Sequence, residues 1–293
     1  MPAQVGVFLP QMRMTFEQIE SKVRTAEEVG FDSAWFMDHM APPAAADHTM
    51  LEGWTTASAL AVRTSTIRLG HLVLCAPFRH PALLAKMAST LDVISEGRLD
   101  LGIGWGSVPD ELRRYGFDDS TPAVRAAQLT ETLEILEAFF TGEPVTYAGR
   151  HFSVTDAVQR PRPVQGRIPI HVGGAGKRLT MPIVRAHADW WNCPSYAIER
   201  LAELRPLAGD RARVSAQHPI GLAPSAGARD ETMTVLERRF GPWGGLIGGT
   251  PDEVAASLRR EVELGVELFI LQFADFGTPE SMKLFAEEVL PAL

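Results

Sequence analysis

Short apolar runs alternate with segments of helical periodicity along the first part of the chain. The apolar runs predict buried strands at residues 5–9, 33–37, 67–74 and 98–103. Between them, apolar positions spaced three and four apart predict helices at residues 16–29, 54–62 and 81–94. Thr15, with Gln18 three residues later, forms a capping box at the start of the first helix, and Gly30 marks its end. This alternation is typical of βα units on a parallel sheet.

The rest of the chain continues the alternation with interruptions. Four more strands are predicted at residues 168–172, 189–192, 214–220 and 268–273. Helices are predicted at residues 124–140, 179–187 and 232–239, after the cap at Thr250 and after the last strand, and a small hairpin at residues 145–154. Eight strands and eight helices are the count of a TIM barrel. We therefore expect an α/β fold, a TIM (β/α)8 barrel forming one domain over residues 1–293, with insertions after strands 4, 5 and 7.

Composition narrows the classes of partner and of site. The net charge is −8, the pI is near 5.5 and no dense basic cluster is present, which argues against nucleic acid and anionic membranes as main partners. No apolar segment is long enough to span a bilayer. Cys75 and Cys193 lie far apart in the sequence, and the histidines lack a spacing such as H-E-x-x-H, so we expect no disulfide framework and no metal site. The expectation is a cytoplasmic protein with a small-molecule substrate.

A glycine-rich stretch follows the fourth predicted strand. Apolar residues alternate over residues 99–103 as in a buried strand. Two of the next four residues lack a side chain: Gly104, Trp105, Gly106 and Ser107. A flat ligand could approach this backbone closely, although a tight strand-to-helix turn without a ligand has the same pattern. The dinucleotide-binding fingerprint G-x-G-x-x-G is excluded, because Ser107 occupies the position of its last glycine.

Ligands of TIM barrels bind at the C-terminal ends of the strands, so these ends are the places to search for chemistry. The second strand ends in Asp38 and His39. A histidine there can transfer a proton near neutral pH, with Asp38 orienting it or capping the loop, and a structural hydrogen bond between the two is the alternative. The third strand ends at Cys75, a residue type that is more often a small buried filler than a nucleophile.

The fifth strand ends in small residues that precede a helix: Gly173, Gly174, Ala175 and Gly176. Their backbone N–H groups, at the positive end of the helix dipole, predict an anion site that Lys177 and Arg178 reinforce. A plain turn is the alternative. A P-loop is excluded, because His171 stands where its first glycine belongs.

Two further features bear on a ligand. Trp190 and Trp191 in the sixth strand could line a flat cofactor, but neighbours on a strand face opposite sides, so we expect at least one in the core. The glycine-rich residues 241–249 are interpreted either as a lid or as an irregular linker. This segment and residues 42–50 depart from the repeating pattern, and we expect both to shape specificity.

These motifs, in this order, resemble the luciferase-like monooxygenase superfamily over nearly the whole chain. They are Asp38-His39, the segment 78–81, residues 101–106 leading to Glu111 and to residues 115–117, and residues 169–174 leading to residues 188–192. Asp38-His39 and the segment Arg79-His80-Pro81 are most similar to members that use the deazaflavin coenzyme F420 rather than FMN.

The resemblance implies a barrel that holds an isoalloxazine-like ring over its mouth, with the cofactor phosphate at residues 173–176. His39 matches a histidine near the reactive ring carbon, and Cys75, Gly106 and Ser107 match contacts to the ring and tail. A non-proline cis peptide near residues 72–73 and a homodimer are also implied. Some deazaflavin dehydrogenases have a carboxylate where this chain has Ser107; Glu111 is a possible substitute, and a salt bridge at a helix start is its other interpretation.

The resemblance therefore implies hydride transfer between coenzyme F420 and a small organic substrate, with His39 handling a proton and the barrel supplying position. Three alternatives stay open: an FMN-dependent monooxygenase, a non-catalytic flavin- or deazaflavin-binding protein, and a sugar-phosphate barrel without a redox cofactor. The sequence identifies neither the substrate nor the direction of the reaction.

Overall fold

Parallel strands close into a barrel. The computed structural model describes residues 2–43, 45, 47–117 and 120–293. The strands are β1 (Gln4–Phe8), β2 (Ser33–Phe36), β3 (Arg68–His71), β4 (Leu74–Cys75), β5 (Leu99–Gly104), β6 (Val145–Ala148), β7 (Ser153–Ala157), β8 (Ile170–Gly173), β9 (Trp190–Cys193), β10 (Arg213–Leu222), β11 (Ile247–Gly249) and β12 (Val266–Phe273). Neighbours follow the order β12-β1-β2-β3-β5-β8-β9-β10, and β10 pairs with both β9 and β12, which closes the ring. The predicted TIM barrel is confirmed.

Helices connect the strands. They are α1 (Phe16–Glu28), α2 (Gly53–Ala61), α3 (Pro81–Ile94), α4 (Pro109–Arg114), α5 (Pro122–Phe140), α6 (Thr180–His187), α7 (Leu201–Leu204), α8 (Arg229–Phe240), α9 (Pro251–Glu263) and α10 (Pro279–Glu288). The short α4 and α7 are additional to the predicted helices. Thr15 and Thr250 form capping boxes, as their sequences predict. Within the described ranges, no helix is both long and apolar enough to cross a membrane.

The connections after β5 and β10 contain the predicted insertions. After β5 the chain forms α4, α5 and the antiparallel hairpin β6–β7, and after β10 it forms α8 and β11. The insertion predicted after the fifth barrel strand is wrong: between β8 and β9 the one element is α6, because the segments that break the pattern lie before β8. Residues 241–249 are not irregular throughout, since Ile247 of β11 pairs in parallel with Ile220 of β10.

The barrel interior is filled around Trp35. This side chain is fully buried, and its Nε1–H donates to Ser33 Oγ at 2.8 Å. A Cβ added to Gly70 would lie 2.5 Å from the Trp35 ring, and one added to Gly102 would lie 1.8 Å from the His71 carbonyl oxygen. Gly102 is therefore required for packing inside the barrel, and only the later glycines of its sequence run reach the mouth.

Candidate active site

A cavity of about 430 Å³ lies at the C-terminal ends of the barrel strands. Its walls come from the ends of β2, β4, β5, β8 and β9 and from the middle of β10. The residues expected to bind a ligand all line it: Asp38, His39, Cys75, Gly104, Trp105, Gly106, Ser107, Gly173, Gly174, Ala175 and Gly176. The fold thus brings motifs that are far apart in the sequence to one place.

His39 is oriented by Glu111. The His39 Nδ1 and Glu111 Oε2 atoms lie 2.8 Å apart, and because a carboxylate accepts hydrogen bonds, Nδ1 is the donor and Nε2 is left for a ligand. Glu111, in the first turn of α4, also accepts the Met40 N–H at 2.6 Å and the Ala41 N–H at 3.4 Å. Of the two interpretations of Glu111, the salt bridge at a helix start is the one present, and its partner is the candidate catalytic histidine.

Asp38 does not bond to His39. Its carboxylate accepts two hydrogen bonds from Arg79, at 2.6 and 2.9 Å, and one from the Cys75 N–H at 2.8 Å. In this ion pair Asp38 is buried and Arg79 is largely buried, and Arg79 also binds Glu52 at 2.9 Å. The alternative interpretation, a structural hydrogen bond between Asp38 and His39, is therefore wrong, because two sequence neighbours at a strand end point in different directions. Asp38 instead connects the end of β2 to the end of β4.

Cys75 lies on the wall as a neutral thiol. Burial, with the nearby Asp38 carboxylate, raises the pKa of Cys75 to about 12, so the thiol stays protonated near neutral pH. A Cβ on Gly106 would lie 3.2 Å from the Cys75 sulfur, and Gly106 has a φ of +83°, so both space and backbone conformation favour glycine there. Cys75 thus lines the cavity with a protonated thiol.

Val73 lies between two glycines of the cavity wall. A Cβ added to Gly104 would be 2.8 Å from Val73 Cγ2, and one added to Gly173 would be 3.2 Å from Cγ1. The peptide bond between Leu72 and Val73 is cis, at the position that the resemblance implied. Sequence patterns alone did not single out Val73, whereas the implied cis bond could have indicated it.

Hydrogen bonds with the neighbouring strand β9 fix the loop at residues 173–176. Trp191 Nε1–H donates to the Gly174 carbonyl at 2.8 Å, and the Gly174 N–H donates to the Asn192 carbonyl at 3.1 Å. Thr180, the first residue of α6, packs beside both Gly174 and Gly176 and accepts a bond from Trp105 Nε1 at 3.3 Å. The loop of small residues thus has fixed ends and precedes α6 by a short turn, which keeps an anion site near the helix start in place.

Some of the expected neighbours of this loop lie elsewhere. Lys177 pairs with Glu203, and neither it nor Arg178 lines the cavity. Trp190 and Trp191 are both buried and neither lines it, so both belong to the packed interior. Trp190 stacks on His171 with ring centroids 5.4 Å apart. The Arg213 guanidinium carbon lies over the Trp190 ring, 3.9 Å from its centroid. Long side chains on an exposed turn pair with the nearest counter-charge, which sequence spacing does not reveal.

A comparison with known protein families shows the family to which the chain belongs. The profile described as luciferase-like monooxygenase matches residues 1–216, well over half of the chain. The chain belongs to the luciferase-like monooxygenase family.

Relatives of this family member cover almost its full length. An F420-dependent glucose-6-phosphate dehydrogenase from Microbacterium testaceum (strain StLB037) is 28% identical, with 92% of this chain and 90% of that protein covered. A 5,10-methylenetetrahydromethanopterin reductase from Archaeoglobus fulgidus is 29% identical, with 98% of each chain covered. The solved structure of an F420-dependent secondary alcohol dehydrogenase with an F420-acetone adduct has a TM-score of 0.84 and 19% identity, covering 100% of this chain and 99% of that one, and shows the same fold.

The cavity of this family member also includes residues that sequence reasoning missed. They are Leu72, Val73, Leu74, Val108, Thr180, Asn192, Pro194, Tyr196 and Gln217. Asn192 ends a predicted strand and could have been found by the rule used for His39, whereas Gln217 lies inside β10 and carries no such signal. Residues 241–249 and the described part of 42–50 do not line the cavity; residues 44 and 46 lie outside the described residues.

Proposed function

We propose that this protein is an F420-dependent oxidoreductase that transfers a hydride between the coenzyme and a small organic substrate. The observation that carries the proposal is the placement of His39, oriented by Glu111 at 2.8 Å, in one cavity with a glycine-lined wall and the loop 173–176. The relative from Microbacterium testaceum, which matches 92% of the chain, is F420-dependent by its name and supports the choice of coenzyme.

The residues of the cavity fit a flat ring with a phosphate-bearing tail. Gly104 and Gly173 leave the backbone bare on either side of Val73, which would face the ring. Ala175 and Gly176 present backbone N–H groups in the loop before α6 and would hold the phosphate. F420, when bound, supplies the hydride chemistry, and the protein supplies position and electrostatics.

His39 is the residue that we assign to proton transfer. Its Nε2 would take the proton of a substrate hydroxyl, or return a proton to a substrate carbonyl oxygen in the opposite direction. Glu111 compensates the positive charge that the imidazole acquires, at 2.8 Å from Nδ1. Asp38 is engaged by Arg79, and Ser107 has no carboxylate, so the proposed mechanism uses one acid/base residue.

The first experiment is a titration of the purified protein with F420 and, separately, with oxidised and reduced FMN, followed by fluorescence. We expect tighter binding of F420. Preference for reduced FMN with substrate-dependent oxygen consumption would instead indicate a monooxygenase, binding without turnover a non-catalytic carrier, and binding of neither would contradict a redox function.

The His39→Ala variant tests the catalytic assignment. We expect F420 binding to remain measurable while turnover falls by roughly 10²-fold or more, because the proton loses its acceptor. His48→Ala is the matched control, since His48 is exposed and lies outside the cavity lining. Unchanged turnover in His39→Ala would contradict the role of His39.

We also propose that residues 1–293 act as a single domain in a cytoplasmic homodimer. The resemblance to the family supports the dimer. Light scattering of the purified protein at several concentrations tests it, and a mass of one chain throughout would contradict it.

A further inference from the structure

The described lining of the cavity contains no side chain that is always positively charged near neutral pH. Within the described ranges, neither lysine nor arginine is part of its lining. The residues outside those ranges are methionine, alanine and aspartate, which add no lysine or arginine. Proteins recognise phosphate esters and carboxylates chiefly through arginine and lysine, so the lining lacks the usual means of binding an anionic substrate.

Three basic side chains near the cavity are paired with carboxylates or exposed, and none of them lines it: Arg79, Lys177 and Arg178. Arg79, behind the wall, forms two hydrogen bonds with Asp38 and one with Glu52. Lys177 pairs with Glu203 on the outside of the loop. Arg178 is exposed and is not part of the lining. Recruiting Arg79 would leave the buried Asp38 carboxylate without its partner, which is strongly unfavourable.

The charge that the lining does carry is acidic. Asp38 is neutralised by Arg79, whereas the partner of Glu111 is His39, which is cationic only when protonated. Further lining side chains are apolar or aromatic: Leu72, Val73, Leu74, Val108, Pro194 and Tyr196. An anionic substrate beside Glu111 would meet repulsion in a partly desolvated cavity.

We propose that the substrate is an uncharged alcohol or carbonyl compound with an apolar body, and that phosphorylated sugars are rejected. This inference rests on the proposed function, in which the N–H groups of Ala175 and Gly176 are occupied by the phosphate of the coenzyme. The chain then differs in substrate class from the glucose-6-phosphate dehydrogenase that it resembles at 28% identity.

The test uses the protein loaded with F420 and matched pairs of probes. The probes are a panel of neutral alcohols and ketones that includes cyclohexanol, with cyclohexyl phosphate and glucose 6-phosphate as the anionic members. We expect turnover with neutral members and a kcat/KM at least tenfold lower for the phosphates. Equal or better use of either phosphate, or turnover with no neutral member on a protein that binds F420, overturns the substrate class alone. Failure to bind F420 in the same titration overturns the proposed function instead.

A charge-adding variant tests the physical cause. Tyr196 lines the cavity and is 69% exposed, so Tyr196→Lys places an ammonium group at the mouth with little disturbance of the core. We expect inhibition by cyclohexyl phosphate to strengthen roughly fivefold, the size of a partly exposed ion pair. Leu264→Lys, at an exposed site following α9, is the control and leaves inhibition unchanged. Equal inhibition of Tyr196→Lys and the wild type contradicts the assignment of rejection to the missing cation.

Discussion

His39 and Glu111 are separated by 72 positions in the sequence, and in the folded chain they lie in direct contact. Glu111 is itself fixed, because the Met40 N–H and Ala41 N–H bind its other oxygen. A carboxylate held in this way selects the imidazole tautomer and compensates its charge during proton transfer. We therefore propose that Glu111 is a positioning residue, which acts through His39.

Replacing Glu111 by Gln separates this role from substrate binding. We expect Glu111→Gln to lower kcat roughly tenfold to a hundredfold and to leave KM nearly unchanged, because the amide has the same size but lacks the compensating charge. With its oxygen on the Met40 and Ala41 N–H groups, it also turns an NH2 donor toward His39 Nδ1. Steady-state kinetics with F420 measure both constants. Asp110→Asn is the control, since Asp110 is the neighbouring exposed carboxylate and pairs with Arg114. A rise in KM without a fall in kcat would indicate a purely structural role.

His71 lies between the barrel strands and α2, and its burial makes the stability of the fold depend on pH. It is fully buried and stacks on Trp54 with ring centroids 5.2 Å apart, and burial lowers the pKa of His71 from its ordinary value to about 4. The unfolded chain therefore binds this proton more readily, so the stability is present above about pH 6.5 and is lost as the pH falls toward 4.

The His71→Phe variant isolates this contribution. Between pH 7 and pH 5, we expect the wild type to lose about 2 kcal/mol more unfolding free energy than His71→Phe, because the phenyl ring does not titrate. Urea unfolding at the two pH values measures both losses. His48→Phe, at an exposed position, should behave as the wild type does. Equal losses in the wild type and His71→Phe would contradict the assignment.

At the scale of elements, strand β9 supports the loop that follows β8. Trp191 on β9 reaches across to the Gly174 carbonyl at 2.8 Å, whereas Trp190, its neighbour, packs on His171 inside the barrel. The two adjacent tryptophans thus face opposite sides of the strand, as the pleat requires. One of them orders the proposed phosphate site without touching the ligand.

The Trp191→Phe variant removes this support. We expect the affinity for F420 to fall roughly fivefold, equivalent to about 1 kcal/mol for one hydrogen bond, because the loop loses its anchor. Fluorescence titration measures the change. Trp190→Phe is the control and leaves F420 affinity unchanged, since Trp190 does not contact the loop. Equal affinities of the two variants would mean that the loop is ordered without Trp191.

At the scale of the whole molecule, packing inside the barrel depends on one large side chain that lies against glycines. Trp35 fills the interior where Gly70 and Gly102 leave space. We expect Gly70→Ala to lower the free energy of unfolding by roughly 2 kcal/mol, because its Cβ would lie 2.5 Å from the buried ring. Urea unfolding tests this. Gly227→Ala, where the added carbon meets only Ser225 Oγ at 3.9 Å, is the control, and equal stabilities would contradict the packing argument.

The sequence by itself determined the alternation of the main strands and helices, the closed barrel and the strand ends at which the cavity lies. Those features depend on local periodicity and caps, such as Thr15 with Gln18, and on the general rule that parallel strands end at one face. Its motifs also identified the family, and the small residues that they proposed for the site all line the cavity.

Only the tertiary structure decided which partner each polar side chain takes. Asp38 binds Arg79 instead of His39, Lys177 leaves the loop for Glu203, and Gly102 makes room inside the barrel. It also placed Gln217 and Tyr196 in the cavity and showed that no lysine or arginine of the described residues joins them. These outcomes follow from strand register and side-chain direction across the barrel, which are set by contacts between residues far apart in the chain and leave no local pattern.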